Sequence, residues 1–172
     1  MAAYRSARRD GCSLRNQARA VDETVAARFG GASLTGILGE LDLLTGRLRY
    51  LVAGVPPPPL GRSGTFRPLR GGRRNAFGSG DVDRAPAEET LRPGECLVLH
   101  TDGVTSAGND AGVPLGDDGL TALLTEQAAA ADPPAEAVRR LLAAVVQHQQ
   151  GGLSDDASIL AVRWQPAASR TS

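Results

Sequence analysis

One apolar run stands out in the pattern of hydrophobic and polar positions along the chain. Residues 96–100, Cys-Leu-Val-Leu-His, are followed at once by Thr-Asp-Gly at 101–103. A short run of this kind predicts a strand that is buried on both faces. Residues 157–163 predict a second apolar strand, with Asp155 and Asp156 at its start. Two strands that each carry an aspartate at one end can bring hard oxygen ligands together around Mg²⁺ or Mn²⁺.

The N-terminal part of the chain predicts two helices. The first covers residues 3–10 and ends at Gly11. Ser13 can cap the second helix, and Gly30-Gly31 ends it. Its apolar positions follow steps of three and four, which is the spacing of a buried helix face. These positions are Leu14, Ala18, Val21, Val25 and Phe29.

A β-hairpin is predicted next, with strands over 34–42 and 47–53 around a Leu-Leu-Thr-Gly turn. In its second strand apolar and polar positions alternate, so that one face points to the core. The positions assigned to that face are Leu48, Tyr50 and Val52. The prolines at 56–59 interrupt this strand, since proline cannot donate to a strand ladder.

The segment 61–90 predicts mostly loop, with one or two short edge strands near 65–69. Two helices are predicted after the central apolar strand. One covers about 118–129, and the other has Asp132 as its cap and Pro133 at its first position. The second presents Val138, Leu141, Leu142 and Val145 as its apolar stripe. This order of elements predicts an α+β domain with helices packed on an antiparallel sheet.

Composition limits the classes of function. The 172 residues fit one domain with a core of Leu, Val and Ala, because hydrophobic content is 41% and aromatic content 3%. The net charge of zero argues against a nucleic-acid or membrane surface, although arginines cluster near the N-terminus. Cys12 and Cys96 suggest neither a disulfide framework nor a zinc site. We find no apolar signal or membrane span, so we expect a cytoplasmic protein.

Several motifs together resemble a known family. They are Leu34–Asp42, Thr45–Tyr50, Ala53–Pro58, Leu91–Glu95, Thr101–Thr105 and Ser154–Ser158. In this order and spacing they resemble the bacterial PPM phosphatases of the sporulation stage II protein E type, which are relatives of protein phosphatase 2C. The resemblance extends from the first helix to Trp164. It implies that residues 1–164 form the C-terminal portion of a PPM-type phosphatase domain and that residues 165–172 form a disordered tail.

The resemblance implies a partial PPM-type antiparallel β-sandwich flanked by helices, with a binuclear Mn²⁺ or Mg²⁺ centre. Such a centre generates a hydroxide that attacks phosphoserine or phosphothreonine, so no side-chain nucleophile is expected. By this resemblance Asp102 and Asp155 are metal ligands, and Asp156 is a weaker candidate. The alternative is a turn aspartate before glycine at Asp102, and a strand-edge charge or a turn at Asp155 and Asp156. His100 occupies a position where the family often has tyrosine, so we expect it to pack.

The chain also departs from the family pattern. The family takes further ligands from upstream strands, in an element ending in aspartate and in an Asp…Gly-His-Gly element. We expect the chain to begin after those strands. Val55 stands in place of a histidine, Ser106 where an acidic residue often follows, and Glu95 in place of aspartate.

Two functions therefore remain open. The first is a metal-dependent protein serine/threonine phosphatase in partner-switching signalling, with a phosphorylated anti-sigma factor antagonist as substrate. The second is a catalytically inactive pseudophosphatase, or a truncated fragment, that acts only as a protein-interaction module.

Overall fold

The computed structural model describes residues 2–80, 84–128, 130, 132–149 and 156–166. In chain order the elements are α1 (Ala2–Arg9), α2 (Leu14–Arg28), β1 (Gly36–Leu41), β2 (Arg47–Ala53), β3 (Pro59–Arg62), β4 (Thr65–Pro68), β5 (Arg73–Arg74), β6 (Ala87–Thr90), β7 (Cys96–His100), α3 (Asp102–Thr105), α4 (Gly116–Ala128), α5 (Pro134–His148) and β8 (Ile159–Arg163). The predicted α+β class is confirmed.

The chain divides into two compact units. The first unit comprises Met1–Val55, Arg70–Leu91 and Pro166–Ser172, and the second comprises Pro56–Leu69 and Arg92–Gln165. Each unit contains its own sheet and its own hydrophobic core.

The helices of the first unit match the sequence prediction. Gly11 takes a positive φ of 70° just after α1 ends. The Ser13 side chain caps α2 by accepting a hydrogen bond from the backbone N–H of Asn16 at 3.3 Å. The end of α2 differs from the prediction, because Phe29 is 60% exposed and not part of the apolar face.

The predicted hairpin is confirmed as the antiparallel pair β1–β2, with Gly36 opposite Ala53 and Leu41 opposite Leu48. The Asp42 carboxylate organises the turn by accepting the backbone N–H groups of Leu44 and Thr45. These hydrogen bonds hold the pKa of the Asp42 carboxyl below its ordinary value.

Strand β2 is the centre of the first sheet. It pairs with β1 and β6 in antiparallel fashion and with the two-residue strand β5 in parallel. Leu48, Tyr50 and Val52 are buried as predicted, but Leu51 is also fully buried. The reason is that α2 covers Leu51 and Ala53, which join a core with Leu14, Ala18, Val21, Val25 and Phe77.

A buried ion pair connects α2 to β5. The Arg74 Nη2 donates to Asp22 Oδ1 at 2.7 Å, and both side chains are at most 2% exposed. The same Asp22 oxygen accepts the backbone N–H of Gly78 at 2.9 Å. The Arg74 guanidinium carbon lies over the Phe77 ring, 4.6 Å from the centre of that ring. Breaking a pair of this kind leaves an uncompensated buried charge.

The sheet of the second unit has the order β4-β3-β7-β8, and all of its neighbours are antiparallel. Strand β7 is internal, and it pairs with β8 from Cys96 opposite Arg163 to His100 opposite Ile159. The edge strand predicted near 65–69 is confirmed as β4. The sequence prediction missed β3, β5 and β6, which are short and lie in Gly-, Arg- and Pro-rich sequence.

Helices α4 and α5 build the core of the second unit together with β7. Its buried members are Val98, Val104, Ala107, Leu120, Leu124, Leu141 and Val145. The start of α5 differs from the prediction, because Pro133 and not Asp132 occupies the cap position. The Asp132 carboxylate instead pairs with Arg140 at 2.5 Å. Leu142, expected in the apolar stripe, is 38% exposed.

Among the described residues, no helix has the length and apolar character needed to cross a membrane.

Candidate functional site

The Thr-Asp-Gly sequence forms the turn that joins β7 to the one-turn helix α3. Thr101 is extended and precedes the helix, and Asp102 is its first residue. The Asp102 side chain is exposed, whereas Gly103 and Val104 are buried. Val104 is fully buried in the core of the second unit and so anchors the turn. The Asp102 carboxylate remains exposed to solvent.

Three hydrogen bonds connect this turn to the segment before β8. The Thr101 backbone N–H donates to the Ser158 carbonyl at 3.1 Å. The Thr101 hydroxyl accepts the Ser158 backbone N–H at 2.9 Å and donates to the Asp156 carbonyl at 3.3 Å. One threonine side chain therefore bridges the two sequence motifs.

Gly103 closes the same junction from the other side. A Cβ atom built on Gly103 would lie 2.4 Å from the carbonyl oxygen of Asp156, closer than real contacts allow. The backbones of the two motifs are therefore packed directly against each other.

The structure thus brings Asp102 next to the segment that begins at Asp156, as the sequence pattern predicts. Asp156 is exposed, like Asp102. Asp155, the stronger of the two C-terminal candidates, lies outside the described residues, and its assignment as a ligand stays a prediction.

The donors at this junction are of the right kind for Mn²⁺ or Mg²⁺, since both ions prefer carboxylate and carbonyl oxygens. The number of such donors among the described residues, however, is too small for a binuclear centre. The described part of the chain contains no group of three or more His, Cys, Asp or Glu residues that could hold a metal ion. Magnesium prefers about six ligands in octahedral geometry. The described residues alone therefore do not fit a binuclear centre.

The histidine next to the turn plays a packing role, as expected. His100 is only 9% exposed, and its Nδ1 lies 3.1 Å from the carbonyl oxygen of Thr101. Cys96 at the other end of β7 is a free thiol whose pKa is raised by burial, against a smaller opposing effect of the Arg163 charge.

Two features of the site were not predicted from the sequence. No helix was expected directly after the central apolar strand, so α3 was overlooked, although threonine before aspartate is a common helix-start signal. Thr101 was given no role. The Thr101 hydroxyl makes no capping bond inside α3, and bonds the segment before β8 instead. The local sequence does not show which of these two hydrogen bonds the Thr101 hydroxyl makes.

Comparison with known proteins identifies a matching family and similar solved structures. The family model of stage II sporulation protein E (SpoIIE) matches residues 1–165. No curated protein gives a significant match to the chain.

Among solved structures, the RsbU and RsbW domains of a Mycobacterium tuberculosis protein share 25% identity, with a TM-score of 0.81 over 97% of this chain and 47% of that one. The SiaA-PP2C domain of Pseudomonas aeruginosa shares 24% identity, with a TM-score of 0.71 over 88% of this chain and 59% of that one. The Mn-presoaked phosphatase domain of SpoIIE from Bacillus subtilis shares 17% identity, with a TM-score of 0.66 over 97% of this chain and 74% of that one. The chain thus spans about half the length of the first of these structures.

Proposed function

Because this chain belongs to the stage II sporulation protein E family, we propose that it forms part of a metal-dependent protein serine/threonine phosphatase. The observation that supports this proposal is the junction at Thr101. Its hydroxyl bonds the backbone of both Ser158 and Asp156, so the turn that carries the exposed Asp102 is joined to the Asp156–Ser158 segment. Two acidic motifs far apart in sequence are in this way held at one end of one sheet.

The proposal assigns Asp102 and Asp155 as ligands of Mn²⁺ or Mg²⁺, with Asp156 as the weaker candidate. Rigid support favours this role for Asp102, because Val104, two residues later in α3, is fully buried in the core of the second unit. The remaining ligands of a binuclear centre would come from polypeptide outside the described residues. The role of this chain's own residues is to hold one set of hard oxygen donors in a fixed position.

We further propose a phosphorylated regulatory protein of the anti-sigma factor antagonist type as the substrate, in a cytoplasmic partner-switching system. The support is the likeness to a polypeptide that carries RsbU and RsbW domains together.

Phosphate release from a phosphoserine-containing antagonist protein tests the proposed function. The complete gene product that carries these residues is incubated with the substrate, with and without Mn²⁺ and with excess chelator. We expect phosphate release that requires the metal and stops on chelation. A protein that binds the phosphorylated antagonist and releases no phosphate at any Mn²⁺ concentration would contradict the proposal, and would instead identify an interaction module.

A further inference from the structure

The second unit contains a cavity that is separate from the Asp102 junction. Its volume is about 520 Å³, and residues of β3, β4, β7, β8, α4 and α5 line it. Two of its polar residues, Glu95 just before β7 and Arg163 opposite Cys96, lie near the start of β7, whereas Asp102 follows the end of that strand. Small-molecule sites are clefts of about 300–1,000 Å³ with an apolar wall and a few polar groups. The cavity has the size of such a site.

The wall of the cavity is mainly apolar. Phe66, Val98, Leu124, Leu141 and Ile159 contribute to it. Cys96 also lines the cavity, and burial raises the pKa of its thiol, so it adds no charge at neutral pH. This wall suits the hydrocarbon part of a ligand.

Both carboxylates that line the cavity, Glu95 and Asp132, are paired with arginines. Arg62 Nε lies 2.5 Å from Glu95 Oε1, and Arg140 Nη1 lies 2.5 Å from Asp132 Oδ2. Neither carboxylate therefore repels an anionic ligand with a full charge.

Arg163 provides a positive charge with unused hydrogen-bonding capacity. Its Nη2 donates to the backbone carbonyl of Asp132 at 2.7 Å. This acceptor is a neutral carbonyl and not a carboxylate, so the contact does not neutralise the guanidinium charge. Its Nε is shielded from solvent and has no hydrogen-bond partner among the described residues. A buried donor without an acceptor is costly, and a carboxylate oxygen that accepts its hydrogen bond recovers that cost.

We propose that this cavity binds a small amphiphilic carboxylate, with its hydrocarbon tail against the apolar wall and its carboxylate on the guanidinium of Arg163. A hydrogen bond between a guanidinium and a carboxylate is charge-assisted, so it selects an anionic head group over a neutral or cationic one.

Calorimetric titration of the complete gene product with dodecanoate, below its micelle concentration, tests the proposal. Dodecyltrimethylammonium, which has the same tail and a cationic head, serves as the comparison ligand. We expect saturable binding of one dodecanoate per chain. Arg163→Gln should weaken it at least about tenfold, in line with the loss of a hydrogen bond to a charged group. Arg139→Gln removes the same charge from an exposed position on α5 and should leave the affinity unchanged.

A second variant keeps the test decisive if Arg163→Gln fails to fold. Ala137 lines the cavity from α5, and Ala137→Phe fills it while Arg163 remains in place. This variant should lose dodecanoate binding and keep its thermal unfolding transition. Absence of dodecanoate binding, equal affinity in the Arg163→Gln protein, or equally tight binding of dodecyltrimethylammonium would overturn the proposal. Because the readout is binding and not hydrolysis, its failure is distinct from failure of the proposed phosphatase function.

Discussion

Gly103 lies so close to Asp156 that any side chain at position 103 would collide with the Asp156 carbonyl. A Cβ atom there would be 2.4 Å from the carbonyl oxygen and 2.9 Å from the carbonyl carbon. Both of these are backbone atoms, so the collision cannot be relieved by rotating a side chain. The glycine of the Thr-Asp-Gly motif is therefore required for two strand ends to meet, and not only for making a turn.

Gly103→Ala should destabilise the protein by about 1–3 kcal/mol, the usual cost of forcing extra volume into a packed site. Helix propensity alone predicts the opposite sign, since alanine is favoured over glycine by roughly 0.8–1.0 kcal/mol inside a helix. Urea unfolding of the two proteins distinguishes these outcomes. Gly108→Ala is the matched control, because a Cβ at 108 has its nearest neighbour at 3.7 Å. Equal stability of Gly103→Ala and wild type would show that the junction is loose.

Asp22→Ala should cost about 3–5 kcal/mol of unfolding free energy, because it leaves Arg74 buried and without its partner. The control lies on the same helix. Glu23 pairs with Arg19 on the surface, and losing an exposed pair of this spacing costs about 0.3–0.5 kcal/mol. Chemical denaturation of Asp22→Ala and Glu23→Ala provides the comparison. A similar small loss in both variants would mean that the buried pair contributes no more than the exposed one.

Glu95→Gln should lower stability in a pH-dependent way. Burial raises the pKa of Glu95, but hydrogen bonds from the Arg62 side chain and the Arg92 backbone, with the charges of both arginines, outweigh it and leave the pKa below the ordinary 4.5. Because the folded-state pKa is the lower one, the stabilisation is complete above the unfolded pKa. It is lost as pH falls through the folded pKa.

Unfolding free energies of wild type and Glu95→Gln, measured from neutral pH down to acid, check this expectation. The difference should be about 1.5–3 kcal/mol near neutrality, typical of hydrogen bonds to a charged group, and should shrink below about pH 4. In an Arg62→Gln background both the difference and its pH dependence should decrease. A difference that grows on acidification would contradict the sign of the shift.

The sequence predicted the elements that have strong local signals. Ser13 and Gly11 mark the boundaries of α1 and α2, and the alternation around Tyr50 locates β2. These signals come from caps and hydrophobic periodicity, which depend on neighbouring residues alone. The junction between the turn at Thr101 and the Asp156–Ser158 segment was also predictable, because both motifs border apolar strands.

Other features depend on contacts that local sequence does not encode. The two-residue strand β5 exists because Arg73 and Arg74 align beside Val52 and Ala53. Asp132 lies where the sequence predicts a helix cap, but its carboxylate pairs with Arg140 instead. The cavity at Arg163 is formed by six separate elements, so no sequence window contains it.

The central claim, that Asp102 belongs to a metal-dependent phosphatase site, is tested most directly by the kinetics of Asp102→Asn in the complete gene product. The variant replaces one carboxylate oxygen by an amide nitrogen of equal size. We measure Mn²⁺-dependent phosphate release from a phosphoserine-containing protein, with the exposed Asp110→Asn as the control. Asp102→Asn should lose more activity than the roughly 10–100-fold loss typical of an outer-shell residue, and Asp110→Asn should match wild type. Undiminished turnover by Asp102→Asn at the same Mn²⁺ concentration would contradict the assignment.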